Sequence, residues 1–235
     1  MPRKSEKPRV KKARVKKAKR KRSTGAAGAA AGASSSKVKR SKLTLDERIG
    51  KEFDKYADDD GVLEDRMLDF LEDLGVEPDD KVVLVLCQMF KCKQGGMIRR
   101  SEWEHGMRLL KCGSVSELSS RLDYMRSMLA LPENFHSIYR YAFSINLEPP
   151  KKLLERDTAI ALWELLFDTD SFVLLNEWVA FVQTNGPKLI SKDVFFQVQL
   201  FAKQFGQDLS AWEDDGAWPI LIDDFVEHMN EKGGN

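Results

Sequence analysis

Residues 212–229 read WEDDGAWPILIDDFVEHM. Trp218 precedes Pro219, and proline has no N–H to leave unpaired in the first turn of a helix, so the pair marks a helix entry. Leu221, Ile222, Phe225, Val226 and Met229 then recur at helical spacing, which turns one face inward. Asp214, Asp215, Asp223 and Asp224 crowd the same stretch, and Asp223 falls one turn from Pro219, off the main apolar stripe. The expected result is a rigid helical corner carrying an acidic, partly exposed surface.

Upstream the same periodicity returns. Helical stretches are expected around Thr158–Phe167, Phe172–Gln183 and Asp193–Phe205, and a stripe of Phe135, Ile138, Tyr139 and Ala142 follows Pro132. Three candidate capping boxes, Thr44 with Glu47, Ser101 with Glu104, and Ser114 with Glu117, punctuate the first half. The third stands ahead of Leu118, Leu122 and Met125. Met67, Phe70, Leu71 and Leu74 share a face that Gly75 should end, and Asp79 or Asp80 is placed to cap VVLVLCQMF, which is apolar nearly all round and so should be central to the core. Long runs alternating apolar with polar residues are absent. The class is therefore all-α, two helical lobes of about 44–148 and 151–230 joined through Pro149 and Pro150.

Near-zero net charge hides a division. Through Leu43 there are 17 Lys and Arg against one acid, leaving 21 of the 38 basic residues against 36 of the 37 acids beyond it. Residues 1–43 contain KKARVKKAKRKR and GAAGAAAGASSS, too few large apolar groups to offset the entropy of ordering, and are expected to be a disordered basic tail. Such a tail suits nuclear import, with the cytoplasm as a second location, and attracts nucleic acid only loosely; the acidic body repels nucleic acid and favours basic protein partners. No apolar run reaches the roughly 20 residues that cross a bilayer, so no membrane role is expected.

Two glycine turns imitate a helix–loop–helix calcium site. With Gly61 sixth in the loop, Tyr56 and Met67 occupy the first and twelfth places; with Gly96 sixth, Lys91 and Lys93 stand where oxygens should. These are read as degenerate EF-hand-like units, with neither metal nor other cofactor expected. Cys87, Cys92 and Cys112 lack paired metal-ligand spacing and read as buried thiols. His105, His136 and His228 have no nucleophile at a useful spacing, and no glycine-rich phosphate loop occurs, so no catalytic residues are expected.

The run GAWPILIDDFVE resembles the C-terminal signature of the defective-in-cullin-neddylation family, and similarity to its potentiating-neddylation (PONY) domain can be followed from about Phe53 to Met229. That resemblance implies a non-catalytic accessory of cullin neddylation, with the PONY domain over 44–230. It implies that the cullin C-terminal domain is bound by Asp193, from LISKD, Ala217, from GAW, and Asp223, the first of the IDD pair. The acetylated N-terminus of the conjugating enzyme would be held by Met67, Val83, Leu86, Cys87, Phe90 and Ile98, with Leu162 and Leu165 from the next lobe, and a RING ligase would be engaged indirectly. Cys87, Gly95, Gly96, Glu64 and Leu162 depart from commoner family residues. Without the resemblance, the aspartates read more simply as a solvated face and the apolar stripes as core. The competing class is a calcium-binding or chromatin-associated adaptor.

Overall fold

The computed structural model describes residues 43–213 and 216–233, so nearly all of the expected basic tail, together with Asp214 and Asp215, lies outside the described residues. In chain order the elements are α1 (Leu45–Phe53), β1 (Val62–Leu63), α2 (Met67–Leu74), α3 (Val82–Phe90), β2 (Ile98–Arg99), α4 (Arg100–Leu110), α5 (Val115–Ser119), α6 (Leu122–Met128) and α7 (Pro132–Ile145). They continue with β3 (Leu154–Glu155), α8 (Arg156–Leu166), α9 (Leu175–Asn185), β4 (Leu189–Ile190), α10 (Lys192–Phe205) and α11 (Ile220–Gly233). The described residues are all-α apart from four two-residue strands.

Several helix ends follow from local chemistry. Thr44 Oγ1 accepts the Glu47 amide at 3.2 Å while the Thr44 amide donates to Glu47 Oε2 at 2.8 Å, completing the expected box. Gly75 ends α2 in the left-handed region at φ 79°, and Asp80 Oδ1 accepts the Val82 amide at 2.8 Å at the start of α3. The second box differs from expectation: the Arg99 amide donates to Glu102 Oε2 at 2.9 Å, so Glu102, not Glu104, closes the entry to α4. The reason is tertiary, because β2 runs straight into the helix and fixes where it begins. At the third, Ser114 Oγ accepts the Glu117 amide at 3.2 Å, but the Glu117 carboxylate bonds the Gly113 amide and Arg48. Leu118, Leu122 and Met125 are all buried, divided between α5 and α6.

Each half of the chain carries two helix–loop–helix units joined by a short antiparallel ladder. In the first, Val62 pairs with Arg99 and Leu63 with Ile98; in the second, Leu154 pairs with Ile190 and Glu155 with Leu189. The second ladder has no sequence signal, because two residues cannot show alternation. In the first pair, loop carboxylates are spent on the backbone. Asp58 Oδ2 accepts the Glu64 and Asp65 amides at 2.9 and 3.0 Å, and Glu102 accepts the Lys93 and Arg99 amides at 3.1 and 2.9 Å.

Two aromatic centres organise the core. Trp103 meets Phe53, Phe70 and Phe90 at ring separations of 5.7, 5.3 and 6.0 Å, and its indole N–H donates to the Ile49 carbonyl at 3.2 Å. In the second half, Trp163 stacks on Phe195 and meets Trp178 edge-on, and the Trp163 N–H donates to Tyr139 Oη, which itself donates to the Phe195 carbonyl. Helix α7 lies between the centres, packed against α3, α8 and α10. That contact sets the two candidate surfaces on one framework.

Candidate protein-binding surfaces

The acidic surface is built on two helix starts. Ser191 caps α10, its hydroxyl accepting the Val194 amide at 3.1 Å, and Asp193 lies exposed in the first turn, where the helix dipole favours a carboxylate. Helix α11 starts beyond Pro219, whose carbonyl accepts the Ile222 amide at 2.8 Å and the Asp223 amide at 3.3 Å. Asp223 is half-buried in that first turn, and Ala217 is exposed in the approach to it, just after Gly216 at φ 69°. Ala217 and Asp223 therefore belong to one turn–helix corner, while Asp193 is on α10, the helix against which α11 packs.

What fixes that corner is aromatic packing. Phe225 is fully buried and meets Trp178, Phe181 and Phe201 at 5.3, 5.6 and 5.9 Å, while Trp218 meets Trp212 at 5.4 Å and Phe205 at 5.9 Å. Asp193 is eight residues before Phe201, about 12 Å along the helix axis. One exposed apolar residue was absent from the sequence reading: Ile220 is 77% exposed between Ala217 and Asp223. Its signal was present, since Ile220 falls outside the inward stripe of α11. Small, apolar and acidic groups side by side suit a partner that offers an apolar anchor with Lys or Arg beside it.

The apolar candidates divide by exposure. Val83 and Cys87, four residues apart on α3, are half-buried, as are Met67 at the start of α2 and Leu165 on α8. Leu86, Phe90, Ile98 and Leu162 are core residues, from 0 to 6% exposed. The first four can form the rim of a cleft, and the second four its floor. Gly95 lies against the end of α7: its amide donates to the Ile145 carbonyl at 2.9 Å, and a Cβ there would stand 3.3 Å from the same oxygen. Close backbone approach accounts for a glycine at that place.

A separate cavity lies elsewhere. A cleft of about 810 Å³ opens between the start of α7, the end of α8 and α10, with Phe135, Phe167, Leu200 and Ala202 among its apolar lining and Lys81, Glu133, Asp168 and Lys203 among its charges. None of the expected site residues lines it. Asp168 is held below its ordinary value by the Ser171 hydroxyl and amide, despite partial burial. Its lining comes from four separated parts of the chain, so linear spacing carried no sign of it.

Comparison with known proteins places this sequence among relatives. The family described as "Cullin binding" matches residues 117–228, which include Asp193, Ala217 and Asp223. DCN1-like protein 5 of Rattus norvegicus is 35% identical over 176 residues, 74% of this chain and 74% of that protein. DCN1-like protein 4 of Homo sapiens is 37% identical over 181 residues, 77% of this chain and 62% of that protein, and DCN1-like protein 4 of Danio rerio is 34% identical over 197 residues, 83% and 70%.

Proposed function

This chain belongs to the DCN1-like family of cullin-binding, PONY-domain proteins, and on that premise we propose that it is a non-catalytic scaffold of cullin neddylation. One face holds a cullin C-terminal domain through Asp193, Ala217 and Asp223. The cleft rimmed by Met67, Val83, Cys87 and Leu165, over Leu86, Phe90, Ile98 and Leu162, holds the acetylated N-terminus of the conjugating enzyme. Transfer of the ubiquitin-like modifier to the cullin lysine remains the work of that enzyme's own cysteine and a RING ligase.

What supports this reading is the corner at α11, with exposed Ala217 and half-buried Asp223, together with exposed Asp193 on α10, the helix that packs against α11, all inside the matched residues. A small residue there lets a partner's backbone approach, and the two carboxylates can receive basic side chains. Holding both partners on one framework replaces a bimolecular encounter with a local one, and orientation lowers the barrier further. The basic segment through Leu43 would direct the protein to the nucleus and touch nucleic acid only weakly.

Reconstituted cullin modification tests this directly. Adding the wild-type chain should accelerate modifier transfer, and Asp193→Lys with Asp223→Lys should remove that acceleration while the helical spectrum is kept. Acceleration unchanged by the double reversal would overturn the cullin assignment. An acetylated N-terminal peptide of the conjugating enzyme that bound no better than its free-amine form would overturn the cleft assignment.

A further inference from the structure

We propose that Cys87 and Cys92 are a reversible redox pair, in which a hydroperoxide oxidises the half-buried Cys87 and the buried Cys92 converts it to an intrachain disulfide across the C-terminal cap of α3.

The geometry comes from the way α3 stops. Lys91 adopts the left-handed conformation at φ 57°, its amide donates to the Gln88 carbonyl at 3.0 Å, and the Cys92 amide donates to the Cys87 carbonyl at 2.9 Å. This pair of reversed bonds folds the chain back so that the sixth residue lies against the first, and side chains at those two positions ordinarily touch. A disulfide needs Cα atoms about 4.4–6.8 Å apart, a separation that a chain folded back in this way can meet. Tyr141 Oη donates to the Cys92 carbonyl at 2.8 Å, and Glu102 accepts the next amide, that of Lys93, at 3.1 Å, so the cap is held from both sides.

The two sulfurs differ in access. Cys92 is 4% exposed, whereas Cys87 is half-buried on the helix face it shares with Val83. Cys92 is pushed far above its ordinary range, by the adjacent Cys87 first and by burial second, so in the resting chain it is a neutral thiol and not the sulfur that reacts first with an oxidant. Cys87 is the sulfur a small oxidant reaches.

The steps balance. The Cys87 sulfur attacks one oxygen of hydrogen peroxide; the S–O bond forms, the O–O bond breaks, and the departing hydroxide takes the Cys87 proton as water. The Cys92 sulfur then attacks the Cys87 sulfur; the S–S bond forms, the S–O bond breaks, and the second hydroxide leaves with the Cys92 proton. Two thiols are oxidised by two electrons, one peroxide is reduced, and two waters are released.

The chain contains its own control. Helix α4 ends in the same cap: Lys111 is left-handed at φ 56°, its amide donates to the Arg108 carbonyl, and the Cys112 amide donates to the Met107 carbonyl at 2.9 Å. There the first position is Met107, so the same backbone geometry offers Cys112 no thiol to pair with. The chemistry of the Cys87–Cys92 pair does not depend on what the α3 face binds.

Mass spectrometry of the full chain after treatment with hydrogen peroxide is the test. Trypsin cuts after Lys91 and Lys93, so a disulfide would join two separate peptides, Val82–Lys91 and Cys92–Lys93, with loss of two hydrogens, and dithiothreitol would release them. Cys92→Ser should instead accumulate a Cys87 sulfenic acid that dimedone traps, and Cys87→Ser should leave Cys92 unmodified at the same peroxide dose. A wild-type chain that progressed to Cys87 sulfinic acid with no 87–92 cross-link, or whose cross-links used Cys112, would overturn the assignment. Both wild-type readouts hold whether or not a variant folds.

Discussion

Replacing Gly106 with alanine sets two effects of known sign against each other. Gly106 is in α4, and on an unobstructed helix glycine to alanine gains about 1 kcal/mol. Here the new Cβ would overlap Cδ1, Cε1 and Cγ of Phe90 on α3. Apolar carbons meet at about 4 Å, so the ring would have to retreat by more than an ångström. Phe90 has no exposed surface and packs edge-on against Trp103 at 6.0 Å, which leaves it nowhere to go. Overpacking of a filled core costs about 3 kcal/mol at the upper end of its usual range, so the net loss should be about 2 kcal/mol. For a folded unit of this size that lowers Tm by about 4–8 °C. Because Phe90 is also a floor residue of the proposed peptide cleft, affinity for an acetylated N-terminal peptide should fall in the same variant. Urea titration at constant m, with thermal melts, measures the first part. A Gly106→Ala chain as stable as wild type, or more so, would refute the close-packing argument. Phe90→Leu should relieve part of the cost in the double variant, giving a measurable coupling energy.

The other expectations follow from individual contacts. Asp223→Ala should weaken cullin binding by about 30-fold or more, because a half-buried carboxylate becomes desolvated under a partner, whereas Asp193→Ala on its exposed rim should cost less than about fivefold; equal losses in a calorimetric titration would argue against the geometry given to the corner. Tyr139→Phe should destabilise the chain by about 1–3 kcal/mol in chemical denaturation, since it leaves the Trp163 N–H unpaired in a sealed core and removes the bond to the Phe195 carbonyl. Acid should unfold the protein as carboxylates titrate. Burial pushes Asp80 up, but Arg126 and the Val82 amide outweigh it and hold it below its ordinary 3.8. A depressed folded pKa stabilises above the unfolded value and is lost as pH falls through the folded one, so the loss lies below about pH 4, and Asp80→Asn should flatten the decline in Tm there.

Helices α8 and α10 were nearly legible in full, because their periodicity is set by residues adjacent in sequence; α9 starts three residues later than expected, since Phe172 enters the core from the turn before it. The start of α4 was misread at Ser101, a residue with every local property of a cap, because the β1–β2 ladder fixes the entry from elsewhere in the chain. The stripe through Leu118 and Met125 gave the right buried residues but hid the break between α5 and α6: burial is recorded in the spacing, while the turn at Ser120–Arg121 is not.

The acidic corner shows the same division. Pro219, the inward stripe of α11 and the crowded aspartates are properties of a dozen consecutive residues, and these alone determined a helix start bearing negative charge. That Asp193 and Ala217 are exposed while Asp223 is half-buried, that Leu86 and Phe90 are sealed in the core while Val83 and Cys87 are half-buried, and that the cap of α3 folds Cys92 back on Cys87 were decided only on folding. Hydrophobic periodicity states which residues leave water, but not which neighbour covers them. That depends on contacts between segments far apart in the chain, and here on α7 packing against α3 and α10 at once.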